Sequence, residues 1–324
     1  MTRKKHHYVP VTYLEGFTGV DGFLWVGRKD DPENPLRMKP KETAFRNYYY
    51  SQPLPDGDYD NDQLEEFFSD AVETNWNGLR SKLINKEKLV VDEIIMLWQF
   101  IGLQRVRVPA ARDMIESYLA HNAMVKFKDL EQSGQIPPPP VEIPDLIDKL
   151  TIAVDPQQSI LAMADLLTGF LELASVTGLE VIHNETSVPL ITSDNPVAIF
   201  DPTVNEKSLR PYVVSSPNGA IELLFPINPR ALIRGSRGIF DRVAKRGIKH
   251  TSVKDEGYIR RVNRLSAKFA YELIIGCDSS QSGLLRTYAS VSPVLQNAVG
   301  WVPRKINGPL IMAFGERPKK PKWG

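Results

Sequence analysis

Four consecutive prolines, at positions 137–140, divide the chain more sharply than any other feature. Proline lacks an amide proton and has a fixed φ, so a run of it suits neither a helix interior nor the middle of a sheet. Residues 135–140 therefore read as extended polyproline II, a surface linker, with a ligand for a proline-reading module as the other use. The two sides differ in texture. Before the linker, Leu64, Phe67, Phe68, Val72, Trp76, Leu79 and Leu83 recur at three- and four-residue spacing, which predicts a helix capped by Asn61 or Asp62 and running to about residue 85. A second helix is expected over about 92–107 and a third from Pro109 to about 130. Strands are expected at 22–28 and 47–51, with a turn at 30–35 carrying two prolines. After the linker, Asp155 caps a helix from Pro156 to about 176. Short β-rich runs follow at 179–183, 188–192, 212–215, 221–225 and 231–234, then a long helix over about 256–275.

Helices before and strands after predict an α+β fold: a helical N-terminal half packed on a mainly antiparallel sheet from the C-terminal half, around a single composite core. The expected organisation is a helical region with short strands over 1–130, a Pro-rich linker over 131–144, a strand-rich region with a late long helix over 145–300, and an irregular basic tail over 301–324. In that tail Arg317, Lys319, Lys320 and Lys322 alternate with prolines. A chain of 324 residues buries a sizeable core without covalent staples. Its one cysteine, Cys277, can form neither an internal disulfide nor a Cys-rich zinc site, and reads as a half-buried small residue at a helix end.

Charge and hydropathy narrow the function classes. Lys plus Arg number 40 and Asp plus Glu 39, so the basic excess of a duplex-binding protein is missing and any nucleic-acid contact must rest on local patches. The longest apolar run, 94–103, is about half of the ~20 residues a membrane-spanning helix needs. The basic start has no apolar stretch behind it, so it is not a secretory signal, and a cytoplasmic location without membrane contact is expected. Gly235, Gly238 and Gly247 lack the spacing and setting of a phosphate loop, so there is no nicotinamide or flavin signature. Asp56, Asp58, Asp60 and Asp62 mimic the start of a calcium loop, but Asn61 and Phe67 stand where it needs Gly and Glu; an acidic loop before a helix is the simpler reading.

Three constellations carry candidate chemistry. His6 and His7, followed by Tyr8, Val9 and Pro10, place two imidazoles next to apolar residues that would anchor the segment; either is a candidate general acid or base. Gln104 interrupts the apolar seam Ile94, Leu97, Ile101, Val108, and Arg107 lies within reach of it. Glu73, on the preceding helix, is the candidate partner of Arg107. Thr192, Ser193, Asp194, Asn195 and Pro196 cluster polar groups where an apolar strand ends. They suit an Asx turn or a carboxylate and amide offered to a substrate.

The order of these pieces, continued by Asn47–Ser51 with its three tyrosines, by Phe225-Pro226-Ile227-Asn228-Pro229 and by Asn263, resembles the uncharacterised family called domain of unknown function 4238 over about residues 6–276. The resemblance implies candidate positions but no mechanism. Where many members have Leu-Ser-Pro after the Phe-Pro, this chain has Ile227-Asn228-Pro229. The start also resembles that of the His-Asn-His metal-dependent nucleases, but no further histidine occurs before His121, so that fold is excluded. If the polar groups converge, they suit a hydrolase of nuclease or phosphodiesterase type acting on a phosphate-containing substrate. His6, His7, Glu73 and Asp194 would be catalytic, and Gln104, Arg107, Ser193 and Asn195 would bind substrate. A divalent metal is compatible with this set. The alternatives are a non-catalytic nucleotide- or anion-binding sensor and a structural or interaction protein. The ligand expected is a small phosphate-containing molecule or a nucleic acid; protein partners are left open.

Overall fold

A computed structural model describes residues 4–54, 56, 58–68, 73–214, 218–298 and 308–318. Its largest sheet has five strands in the order Lys249–Val253, Gly178–Asn184, Ala231–Ser236, Glu222–Asn228, Ala198–Phe200. All neighbours are antiparallel except Lys249–Val253, which runs parallel to Gly178–Asn184. The helix Phe240–Arg246 lies in the crossover such a pair needs. The α+β class holds, but strands occur in both halves of the chain. Asp31–Met38 and Leu24–Arg28 combine with Leu273–Gly276 and Thr192–Ser193 in a four-stranded antiparallel sheet.

The turn expected at 30–35 is thus strand. Asp31–Met38 is an edge strand, and Pro32 and Pro35 fall in the stretch where its pairing with Leu24–Arg28 shifts register. The strand expected at 47–51 is displaced to Phe45–Asn47, which pairs with Lys5–His7; Tyr48 then breaks the extended run with a left-handed φ of 55°. In the expected tail, Leu310–Gly315 pairs with Ser292–Asn297, while 301–307 and Lys319, Lys320 and Lys322 lie outside the described residues. Residues 212–214 form turn and irregular chain rather than strand, and Ser215 is also outside them.

The helices follow the apolar spacing more closely. Val91–Val106 and Pro109–Gln132 form as expected, the second running past 130 so that the linker starts later. Asp155 caps Pro156–Leu161 by accepting from Gln157 N at 2.9 Å, and Met163–Ala174 continues the path after a short break. Where one helix was expected over 62–85, Gln63–Phe68 and Trp76–Ile84 are described and 69–72 are not; Asp60 accepts from the amides of Asp62 and Gln63 at its start. Cys277 follows the strand Leu273–Gly276 instead of a helix.

The main core joins both halves of the chain through aromatic rings. Trp76 stacks on Phe100 at 4.0 Å with 2° between the planes, and Tyr13 stacks on Phe225 at 5.1 Å. All four are fully buried, each contributing about 1.5–3 kcal/mol or more of transfer free energy. The Tyr13 hydroxyl donates to Pro226 O (2.7 Å) and bonds Thr192 Oγ1 (2.6 Å), so the N-terminal segment is pinned to the large sheet. No helix among the described residues is long and apolar enough to cross a membrane.

Candidate functional site

The polar residues singled out in the sequence gather at two places. The first is the N-terminal strand. His6 is fully buried; its Nδ1 accepts from Tyr50 N at 3.0 Å, which leaves the ring proton on Nε2, and its ring stacks on Tyr50. His7 is half-buried, with Nε2 3.3 Å from Lys41 O. Burial first, with the nearby Arg107 charge adding to it, lowers its pKa. Arg107, 1% exposed, clamps the strand: Nε donates to Tyr8 O (3.1 Å), Nη2 to His7 O (2.6 Å) and Nη1 to Glu73 Oε1 (2.7 Å). Its own carbonyl accepts from the Tyr50 hydroxyl (3.1 Å). His6, His7, Glu73 and Arg107 therefore meet, and they meet around main chain.

The second place is the turn after Thr192–Ser193. Asp194 is fully buried, and its two oxygens accept from Tyr271 N (2.8 Å) and Glu272 N (2.6 Å). Burial and the Glu272 charge push its carboxyl up, against the pull of those two amides. Burial likewise pushes Lys29 down; its Nζ donates to Ala270 O (2.5 Å) and Val291 O. Ser193 Oγ accepts from Asn195 N (3.1 Å), and Asn195 Nδ2 donates to Phe269 O (2.7 Å) and the Tyr212 hydroxyl (2.5 Å). Asn263, on the helix Glu256–Phe269, repeats the theme: it donates to Pro189 O (2.8 Å) and accepts from Ile191 N (3.1 Å). Gln104 is fully buried, and neither end of its amide has a partner among the described residues.

An open polar site lies elsewhere. Pro109, Arg112, Asp113 and Glu116 line one wall of a cleft of about 780 Å³; Arg46, Tyr48, Tyr49, Tyr271, Glu272 and Arg317 line the rest. A second hollow of about 760 Å³ shares Tyr48, Tyr49, Arg112 and Pro156 with it. Arg112 sits in the shared wall, 5% exposed, its guanidinium held by Ser159 Oγ (2.9 Å), Tyr49 O (2.6 Å) and Pro156 O (2.6 Å). All three acceptors are neutral, and no carboxylate ion-pairs with it among the described residues. Burial raises the pKa of Glu116, which accepts from Ser159 Oγ (2.9 Å). The Tyr271 hydroxyl donates to Asp113, and Arg46 and Arg317 both reach Glu272. The sequence held one sign of this wall: positions 109, 112, 113 and 116 follow the spacing of a single helix face. Among the described residues no three His, Cys, Asp or Glu side chains group as metal ligands would.

Fold and site define an α+β protein with a buried polar framework and a separate cleft lined by three arginines and three carboxylates. The chain belongs to the family described as "Protein of unknown function (DUF4238)", which it matches over residues 5–280. No curated protein and no solved structure matches it.

Proposed function

We propose that the cleft binds a small phosphate-bearing ligand of nucleotide type. The observation that carries this is Arg112: a nearly buried guanidinium, oriented by three neutral acceptors, in the wall between two hollows. Such a group is oriented in advance for an oxyanion, and its direct acceptors are neutral, the Glu116 carboxylate standing one hydroxyl away beyond Ser159. Arg46 and Arg317 share the single carboxylate of Glu272 and so leave a net positive charge at the rim, and the exposed ring of Tyr48 gives a base a face to stack on. A second reading, hydrolysis of the bound phosphate ester, is favoured by Glu116. Its raised pKa keeps a proton nearer neutral pH, as a general acid requires. The acid–base role then falls to Glu116 and Asp113 rather than to His6 and Asp194, whose polar atoms are engaged with main chain.

The test is calorimetric titration with nucleoside mono-, di- and triphosphates, alongside phosphate-release assays with and without Mg²⁺ or Mn²⁺. Saturable binding that weakens about ten- to hundredfold in the rim variant Arg46→Ala/Arg317→Ala and in Arg112→Met supports the cleft. Turnover lost in Glu116→Gln with binding kept supports hydrolysis. Absence of nucleotide binding in the folded wild type rejects the reading, and strong sequence-independent duplex binding would contradict the balanced charge.

A further inference from the structure

At the C-terminal end of the helix Val91–Val106, lined by Arg105 and Val106, is a smaller cavity of about 190 Å³. Leu166, Phe170 and Leu173 of the helix Met163–Ala174 and Ile199 of the strand Ala198–Phe200 form its apolar walls, and Arg105 and Tyr212 its polar end. Arg105 is 8% exposed, and its Nη1 has no hydrogen-bond partner among the described residues. It forms no ion pair among the described residues, and it lies over the Tyr212 ring, with Cζ 3.6 Å from the centroid. Guanidinium does not escape burial by losing its proton, so a largely buried positive charge stands at an apolar wall with no carboxylate paired to it among the described residues.

The chain works to hold this arrangement. Tyr212 adopts a left-handed φ of 60°, which a bulky residue tolerates only where its surroundings impose it. Its amide donates to Ile199 O (2.8 Å), and its hydroxyl accepts from Asn195 Nδ2 (2.5 Å). Phe269 packs edge-on against its ring at 5.4 Å. Asn195 Oδ1, on the same network, is a second buried atom with no partner. A cavity, a largely buried cation without an ion-pair partner among the described residues, and an aromatic residue held on left-handed backbone beside it are three separate observations at one place.

We propose that this cavity binds a compact monocarboxylic acid, its carboxylate on Arg105 over Tyr212 and its apolar body against Leu166, Phe170, Leu173 and Ile199. At about 190 Å³ the space exceeds the roughly 150 Å³ at which an apolar cavity holds benzene, which suits an acid of benzoate or short branched-chain size. Bidentate pairing with a carboxylate would supply the counter-charge the protein leaves out. The apolar walls disfavour a phosphate dianion, whose further oxygens would stand unsolvated. This site is distinct from the cleft around Arg112, and its test does not depend on nucleotide binding.

Benzoate and isovalerate are titrated into the full-length protein by calorimetry, with melting temperature followed in parallel. Saturable binding and a rise in Tm are expected. Arg105→Met should lose about ten- to hundredfold in benzoate affinity while melting at or above the wild-type temperature, because it removes an uncompensated charge. Leu173→Phe, which keeps the charge and fills the space, should also block binding; it decides the matter if Arg105→Met does not fold. Arg112→Met should bind benzoate as wild type does. Absence of benzoate and isovalerate binding at millimolar concentration, unchanged affinity in either blocking variant, or inorganic phosphate competing with benzoate as an equal would each overturn the proposal.

Discussion

Arg107→Met removes one guanidinium and three bonds at once: the ion pair to Glu73 and the donations to the carbonyls of His7 and Tyr8. Breaking a buried pair by deleting one partner costs about 3–5 kcal/mol, mainly because the other partner stays desolvated. Here the Glu73 side chain is 19% exposed, so water relieves part of its loss, whereas Tyr8 is buried and its carbonyl has fewer alternatives. The methionine keeps most of the stem's packing, so a loss of about 3–5 kcal/mol is expected rather than the larger value of a full truncation. With an unfolding entropy of about 2.1 cal/mol/K per residue, a chain of 324 residues shifts by roughly 1.5 °C per kcal/mol, so Tm should fall by about 4–8 °C in differential scanning calorimetry. Arg107→Lys, which keeps the charge but not the fork, should fall between the two. Nucleotide affinity of the folded variant should be unchanged, since Arg107 does not line the cleft. A Tm within about 1 °C of wild type, or a loss of ligand binding without a loss of stability, would refute the clamp.

Trp76→Ala should cost about 3–5 kcal/mol, because it empties a fully buried site stacked on Phe100 at 4.0 Å; Trp76→Phe should cost under about 1.5 kcal/mol, since the indole N–H has no partner to lose, and urea midpoints will separate the two. On the strands Gly178–Asn184 and Lys249–Val253, His183 Nε2 lies 3.0 Å from His250 Nδ1, and burial with the nearby Lys86 charge lowers both pKa values. The unfolded chain therefore takes up more protons than the folded one as pH falls below about 6.5, so the stability these groups contribute is full above that pH and lost beneath it. The urea midpoint should drop between pH 7 and pH 5 with a slope that His183→Gln reduces; an unchanged slope would remove the pair as its source.

What could be read from the sequence was what depends on near neighbours. The apolar spacing of Leu97, Phe100 and Ile101 marks the helix Val91–Val106, and Asp155 before Pro156 marks a helix start. The misplaced elements depend on partners far along the chain. Asp31–Met38 looks like a turn until its edge position excuses the prolines. The helix expected to reach 275 stops at Phe269, with Ala270 extended, because the Asp194 carboxylate, nearly eighty residues earlier, takes the amides of Tyr271 and Glu272. Tyr48 to Tyr50 leaves the strand because the Tyr50 amide donates to the His6 ring. A periodicity argument contains none of these bonds.

The same reasoning explains why the conspicuous polar motifs were poor guides to an open site. A buried main-chain group outside a helix or sheet still needs a hydrogen-bond partner, and where irregular chain crosses the interior a side chain must supply it. His6, Arg107, Asp194, Asn195 and Asn263 all do so: each reaches an amide or carbonyl of an irregular, strand-end or helix-end residue. A polar residue in an apolar frame therefore signals that the frame has a gap in its backbone pairing, which is a matter of folding before it is one of catalysis. Groups available to a ligand carry a different mark. Arg112 and Arg105 are oriented and nearly buried, yet neither has an ionic partner among the described residues. An unneutralised charge is a larger expense to the fold than a satisfied amide, so it is the stronger pointer to where something else is meant to bind.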